Sequence, residues 1–220
     1  MGVPAGAHQR LPRHRPAGGL GELPSRDDPI GFEASAQLDR SRLSVLFRLL
    51  LALPHLVWLW LWALLALIVA VANWAATLAL GRSPAPLHRF LSAYLRYESH
   101  VYAFLLLVAS RFPGFTGAVG SYEAEATVAP AAAQNRWSVG FRLLLALPAG
   151  LLAGAFGSLA WACAFLAWFA ALATGRMPRQ LLNTALQALR YHLQVGGYVL
   201  ILSDAYPYSG PCEQRPDGGR

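Results

Sequence analysis

The chain has 220 residues, of which 55% are apolar and only 13% are Asp, Glu, Lys or Arg. Soluble domains carry about a quarter charged residues, so this chain has too little charge to cover a water-facing surface. The composition excludes a mostly disordered chain, and two cysteines exclude a disulfide-rich scaffold. Its 18 basic residues, all arginine, exceed its 11 acidic ones. We expect a membrane protein.

The two ends of the chain differ from the rest. Residues 1–30 are rich in Pro, Gly and Arg and lack the apolar stretch of a secretory signal, so they predict a disordered tail. Residues 209–220 predict a second flexible tail. Three arginines near the N-terminus suit anionic lipid as well as nucleic acid, and they are too few to predict nucleic-acid binding: Arg10, Arg13 and Arg15.

The first ordered elements are a short strand and a long apolar segment. Residues 32–38 alternate well enough to predict a strand, and residues 122–128 repeat that pattern. Leu43–Leu80 is almost wholly apolar, and Pro54 is expected to divide it because an interior proline removes a helical hydrogen bond. Leu56–Leu80 and Ala149–Thr174 carry no charge and exceed the length needed to cross a ~30 Å hydrocarbon core. Both segments predict membrane spans, in preference to buried helices of a soluble core.

Arginines flank the short apolar stretch that precedes each of these segments. Such a stretch is typical of an interfacial helix at the headgroup boundary, whose guanidinium groups pair with lipid phosphates. The predicted phosphate ligands are Arg42, Arg48, Arg136 and Arg142.

Two further segments are long enough to span but are polar in the middle. Leu87–Ala109 and Leu181–Leu202 favour spanning helices over interfacial or re-entrant ones, which gives about four membrane helices. Three interpretations of their polar residues remain open. The residues lie at the headgroup level, they form a polar network between the repeats, or they line a path for a substrate or ion. These candidates are Arg96, Glu98, His100, Arg190 and His192, and a pseudo-symmetric contact between Glu98 and His192 is one hypothesis.

The chain contains an internal repeat. Residues 42–113 align with residues 136–207 at a constant offset of 94, and roughly 28 of the 72 positions are identical. The predicted organisation is a first repeat over residues 31–113, a linker over 114–120 and a second repeat over 121–208. Gly81-Arg-Ser-Pro84 returns as Gly175-Arg-Met-Pro178 and predicts that a helix ends and the next one begins. The predicted fold is an all-α integral membrane protein with two tandem repeats, each a short strand, an interfacial helix and a transmembrane helical hairpin.

The repeats differ in bulk along their spanning helices. Gly150 and Gly154 have the GxxxG spacing that allows close helix approach, whereas the first repeat has Trp60 at the position of Gly154. We predict that Trp60 packs against Gly154 between the repeats, with homodimerisation through the glycine face as the alternative.

Orientation follows from the number of crossings. Two crossings per repeat give both repeats the same orientation and bring both termini to one side, whereas one crossing each would invert them. With two crossings, nine arginines lie on the terminal side and four on the other, so both termini are expected in the cytoplasm.

Several motifs together resemble a known family. Residues 46–55 read Leu-Phe-Arg-Leu-Leu-Leu-Ala-Leu-Pro-His, residues 81–84 Gly-Arg-Ser-Pro, and residues 202–207 Leu-Ser-Asp-Ala-Tyr-Pro. This pattern resembles the bacterial membrane family named domain of unknown function DUF4389, present here twice. The resemblance implies a multi-pass protein of the bacterial inner membrane and supplies no activity. The chain departs from the pattern at Ser110, where an acidic residue is expected, and at Ala149, where His is expected.

No catalytic motif is visible, and the sequence predicts neither an enzyme nor a metal or cofactor site. Two functions remain open. The first is a non-catalytic accessory or scaffold protein that contacts anionic lipid, a membrane-protein partner or a second copy. The second is a small transporter with a path at the repeat interface near Arg96 and Arg190.

Overall fold

The computed structural model describes residues 29–34, 38 and 41–208. Its elements are, in chain order, β1 (Ile30–Ala34), α1 (Arg42–Leu80), α2 (Ala85–Leu105), β2 (Ala124–Val128), α3 (Arg136–Gly140), α4 (Arg142–Thr174) and α5 (Arg179–Val199). Except for residues 29 and 30, the predicted N-terminal tail lies outside the described residues, as does the predicted C-terminal tail.

Helix α1 runs unbroken through Pro54, and α4 runs through Pro148. The predicted break and the separate interfacial helices that end at these prolines are therefore wrong. A proline costs one backbone hydrogen bond, whereas Ala52 and Leu59, on either side of Pro54, pack in one cluster with α2. This shared packing holds the two halves of α1 on a single axis.

The Gly-Arg-x-Pro motif ends one helix and starts the next in both repeats. Gly81 and Gly175 are left-handed, with φ of 74° and 73°, and their N–H groups bond to carbonyls in the last turn of α1 and α4. Pro84 and Pro178 are the N-caps of α2 and α5. The predicted function of this motif is confirmed.

The elements form three layers. Helix α1 packs on α2, α4 packs on α5, and α2 contacts α5. Strands β1 and β2 pair antiparallel and cover α5 and α2 respectively. The layer order is therefore α1 with α4, then α2 with α5, then the two-stranded sheet.

The two repeats run in opposite directions about a pseudo-twofold axis. Trp74 Nε1 donates to the Val139 carbonyl at 2.9 Å, and Trp168 Nε1 donates to the Val45 carbonyl at 3.0 Å. Each contact becomes the other when 94 residues are added or subtracted, which is the signature of an isologous interface. The sheet obeys the same symmetry, because Phe32 pairs with its own equivalent Ala126.

This arrangement corrects the predicted orientation. Arg42 bonds to the Ala173 carbonyl at the end of α4, so α1 and α4 are antiparallel. The arginines flanking the long helices are consequently shared between both ends of the molecule, and the nine-to-four count loses its basis. Pro29 and Tyr208 line one small cavity, so the first and last described residues are neighbours.

Helices α1 and α4 are long and apolar enough to cross a membrane. The most apolar 18-residue stretch has a mean hydropathy of 2.3 in α1 and 1.9 in α4, and only 17% of each stretch is buried. Their exposed residues are mostly large and apolar, whereas the few buried residues include four polar ones in α1 and Arg142 in α4. In α1 the inward polar residues are Arg48, His55, Asn73 and Thr77.

Candidate functional site at the interface between the repeats

The two arginines at positions 48 and 142 are buried, with 2% and 1% exposure. Arg142 donates to the carbonyls of Tyr198 and Ser203 at 3.0 and 2.6 Å, and to Asp204 Oδ1 at 2.6 Å. Arg48 donates to the carbonyls of Phe104 and Ala109, the equivalent positions in the first repeat. The phosphate-binding prediction is wrong for these two arginines, because each guanidinium is enclosed by the turn that ends the neighbouring helix.

Both turns use an unusual backbone conformation. Leu107 and Ile201 have φ of 59° and 62°, in the left-handed region that non-glycine residues seldom adopt. They occupy equivalent positions, so both repeats fold the chain back at the same point. The fold-back aims carbonyl groups at the arginine, which also lies 4.4 Å from the ring centre of Phe104 or Tyr198.

The other two predicted phosphate ligands are exposed. Arg42 lies at the start of α1, and Arg136 lies at the start of α3, where its guanidinium approaches Gly81. The pseudo-twofold axis relates them, so one arginine lies at each end of the α1–α4 layer.

Glu98 and His192 meet on the pseudo-twofold axis. His192 Nε2 lies 3.4 Å from Glu98 Oε1, and the Glu98 side chain is the more buried of the two. Equivalent residues can touch only where the symmetry axis passes between them. The contact hypothesised from the repeat is therefore present.

Two of the remaining polar candidates, Arg96 and His100, contact residues of β2 and of the loop before it. Arg96 Nε donates to the Gly117 carbonyl at 2.9 Å, and His100 lies 3.3 Å from Glu125 Oε2. Burial raises the pKa of the Glu125 carboxyl, and the Gly120 N–H and the Arg96 charge oppose that rise. Arg190 is half-buried. Within the described residues, no three His, Cys, Asp or Glu side chains could share a metal ion.

The predicted packing of Trp60 against Gly154 is wrong. Trp60 is 62% exposed, and no atom lies within 4 Å of a Cβ added to Gly150 or Gly154. The glycine face of α4 instead forms one wall of a cavity of about 630 Å³ whose other walls are α2 and α5. Glu98 and His192 lie in this cavity, whereas Arg96 and Arg190 do not line it.

Several interacting residues were not among the predicted site residues. Asp204 holds Arg142, and His55 Nδ1 lies 2.8 Å from the Tyr97 hydroxyl. His55 is also stacked on Phe115, 4.3 Å between ring centres. The signals for them were present, since both Asp204 and His55 belong to motifs that carried the family resemblance. The absence of each from the other repeat argued against a paired role.

Prediction: Glu98→Gln and His192→Ala each destabilise the protein in detergent by about 0.5–1 kcal/mol, because the pair is only partly shielded from water. Thermal unfolding of both single variants and the double variant measures the coupling between the side chains. Additive losses would contradict an interaction on the axis.

Comparison with known proteins gives one match. A family model with the description Domain of unknown function (DUF4389) matches residues 42–117 and again residues 136–209. No curated protein and no solved structure matches the chain. The two matched segments cover most of the chain and coincide with the two symmetry-related halves. The chain therefore belongs to the DUF4389 family and carries its domain twice in tandem.

Proposed function

We propose that this is a membrane-embedded, non-catalytic accessory protein of the bacterial inner membrane that contacts anionic lipid or a membrane-protein partner. The observation that carries the proposal is the exposed surface of α1 and α4, which consists mostly of large apolar side chains, while α1 turns His55 and Asn73 inward and α4 turns Arg142 inward. Water does not favour such a surface, whereas lipid does. A soluble core helix of this hydropathy would be mostly buried, and these two are not.

The layer order supports immersion from one side. The outer face of the sheet carries exposed Glu33 and Thr127, which would meet lipid if all four long helices crossed the bilayer upright. With the α1–α4 layer in lipid and the sheet in water, exposed Glu33 stays hydrated. This assignment replaces the four spanning helices expected from the sequence. Arg42 and Arg136, at the two ends of the immersed layer, are then the candidates for contact with anionic lipid. A cytoplasmic location for both termini stays a prediction.

Prediction: in membrane vesicles, a membrane-impermeant maleimide labels Thr127→Cys but not Val57→Cys, in a Cys163→Ala, Cys212→Ser background. Val57 is 60% exposed on the outer face of α1, so lipid rather than protein protects it. Both positions should react after denaturation in SDS, which is the control for intrinsic reactivity. Equal labelling of both sites in intact vesicles, or release of the protein by alkaline carbonate, would contradict immersion.

Partner contact is tested separately. Gentle solubilisation of native membranes followed by affinity purification should recover a stoichiometric membrane protein or retain anionic phospholipid. Arg42→Ala and Arg136→Ala should reduce the retained lipid, with exposed Arg179→Ala as the matched control. Recovery of the protein alone, with lipid in the same proportions as the bulk membrane, would contradict the accessory function.

A small transporter is the second candidate, and the cavity on the pseudo-twofold axis favours it. Many transporters are built from inverted repeats with the substrate site at the repeat interface, and Glu98 and His192 occupy that position here. Transport requires α1 and α4 to stand upright across the bilayer. Thr127→Cys that stays unlabelled in intact vesicles would favour this candidate over one-sided immersion.

A further inference from the structure

The cavity between α2, α4 and α5 combines an apolar wall with one carboxylate. It encloses about 630 Å³, a volume typical of small-molecule sites. Small residues form the α4 wall at Gly150, Gly154 and Gly157, and both Gly150 and Gly154 are exposed at the rim. The cavity therefore opens beside the apolar surface of α4, where a molecule dissolved in lipid could enter.

The charge of the cavity lining favours a positively charged ligand. Among the residues that the structure describes, no arginine lines the cavity and Glu98 is its one acidic residue. The Glu98 side chain is 14% exposed, whereas that of its partner His192 is 42% exposed. The carboxylate is held in the wall while the imidazole borders open space, so a cation can take the place of His192 on Glu98. The Glu98 carboxylate would repel an anion, since its partner His192 balances that charge only in the protonated form.

Aromatic rings supply a second attraction. Tyr94, Tyr102 and Trp161 line the same cavity, and aromatic faces attract organic cations. A cation with a large apolar shell loses little hydration on leaving water, so it suits a site with one carboxylate and apolar walls.

We propose that this cavity binds a lipophilic organic cation, with Glu98 as its counter-ion and the aromatic side chains as its walls. The second repeat creates the space, because the positions equivalent to Gly150, Gly154 and Ser158 are Leu56, Trp60 and Leu64 in α1. The proposal identifies a ligand class for the cavity that favours the transporter candidate, but it requires binding alone and no translocation.

The test is binding of tetraphenylphosphonium to the purified full-length protein in non-ionic detergent, followed by titration calorimetry. Tetraphenylborate, which has nearly the same shape and the opposite charge, is the matched control. We expect saturable binding of the cation and none of the anion. Glu98→Gln should weaken cation binding at least about tenfold, and Gly154→Trp, which copies the first repeat, should abolish it. Glu33→Gln, on the exposed face of the sheet, should leave it unchanged.

Equal binding of the two ions would overturn the proposal, since apolar partition alone would explain it. Unchanged affinity in either Glu98→Gln or Gly154→Trp would also overturn it. Gly154→Trp has free space at its Cβ, so it should fold, and a monodisperse elution profile verifies this for each variant. Failure here leaves the maleimide result intact, and failure of membrane immersion leaves the binding result intact, so the two inferences are separable.

Discussion

Replacing Arg142 with leucine should destabilise the protein by about 3–5 kcal/mol, because it leaves several buried acceptors unpaired at about 1–3 kcal/mol each. Arg142 is 1% exposed and donates hydrogen bonds to two carbonyls, one amide and one carboxylate. Leucine satisfies none of these acceptors. The loss therefore includes three buried acceptors left without this donor, on Tyr198, Ser203 and Gln134, whereas the Asp204 carboxylate is 40% exposed and can be solvated by water.

The turn that follows α5 amplifies this effect. Ile201 is held at a φ of 62°, which a β-branched residue rarely adopts and which costs about 1–3 kcal/mol. The carbonyls on either side of Ile201, at Tyr198 and Ser203, both accept from Arg142. Without the guanidinium, the bonds from Gln134 to the Ile201 carbonyl and from Asn73 to the Leu200 carbonyl remain, but the Tyr198 and Ser203 carbonyls lose their donor, and we expect residues 200–205 to rearrange.

Unfolding can be followed through Cys163, which is 7% exposed in α4. In a Cys212→Ser background it is the single thiol, so a thiol-reactive dye reports the melting temperature in detergent. Arg142→Lys keeps the charge but loses the planar fork, and its stability should lie between wild type and Arg142→Leu. Exposed Arg179→Leu is the control, with an expected change within about 0.5 kcal/mol.

The first repeat provides an independent check of the same argument. Arg48→Leu removes the equivalent contacts to Phe104 and Ala109 and should also destabilise the protein strongly. A melting temperature within two degrees of wild type for Arg142→Leu would show that the guanidinium is not required.

The sequence predicted the repeat and the helix boundary at its Gly-Arg-x-Pro motif because those depend on local signals, whereas the break predicted at Pro54 was wrong. Gly81 and Pro84 end one helix and start another wherever the helices point. The relative direction of the repeats depends instead on the connection over residues 106–135, which includes β2 and is long enough for either orientation. A constant offset of 94 residues is the same for parallel and inverted repeats, so the inversion required the three-dimensional contacts.

The candidate site was partly predictable for a related reason. Glu98 and His192 are equivalent residues, and a pseudo-twofold axis is the one place where equivalents meet, so their contact could be hypothesised. The partners of Arg48 could not, because they are backbone carbonyls presented by a left-handed turn without glycine. The large Trp60 and the small Gly154 at equivalent positions also led to a wrong prediction, since the two residues do not pack together.

A single methyl group added in the loop over residues 110–120 should also have a large effect on stability. Gly117 packs directly on α2, so a Cβ there would overlap the Ala93 carbonyl oxygen and lie 2.8 Å from its carbon. Because this obstacle is helix backbone, the loop must move. The predicted linker is thus a packed segment, which also carries Phe115 onto His55 and Trp58.

Gly117→Ala should therefore cost about 2–3 kcal/mol and detach the loop, since overlap with fixed backbone destabilises as overpacking does. It also separates the Gly117 carbonyl from Arg96. Trypsin should then cleave faster at exposed Arg111, near the start of the loop. Gly114→Ala is the matched control in the same loop, because nothing lies within 4 Å of its added Cβ. Equal cleavage rates and melting temperatures for the two variants would mean that the loop is free to shift, and that the packing of His55 does not depend on Gly117.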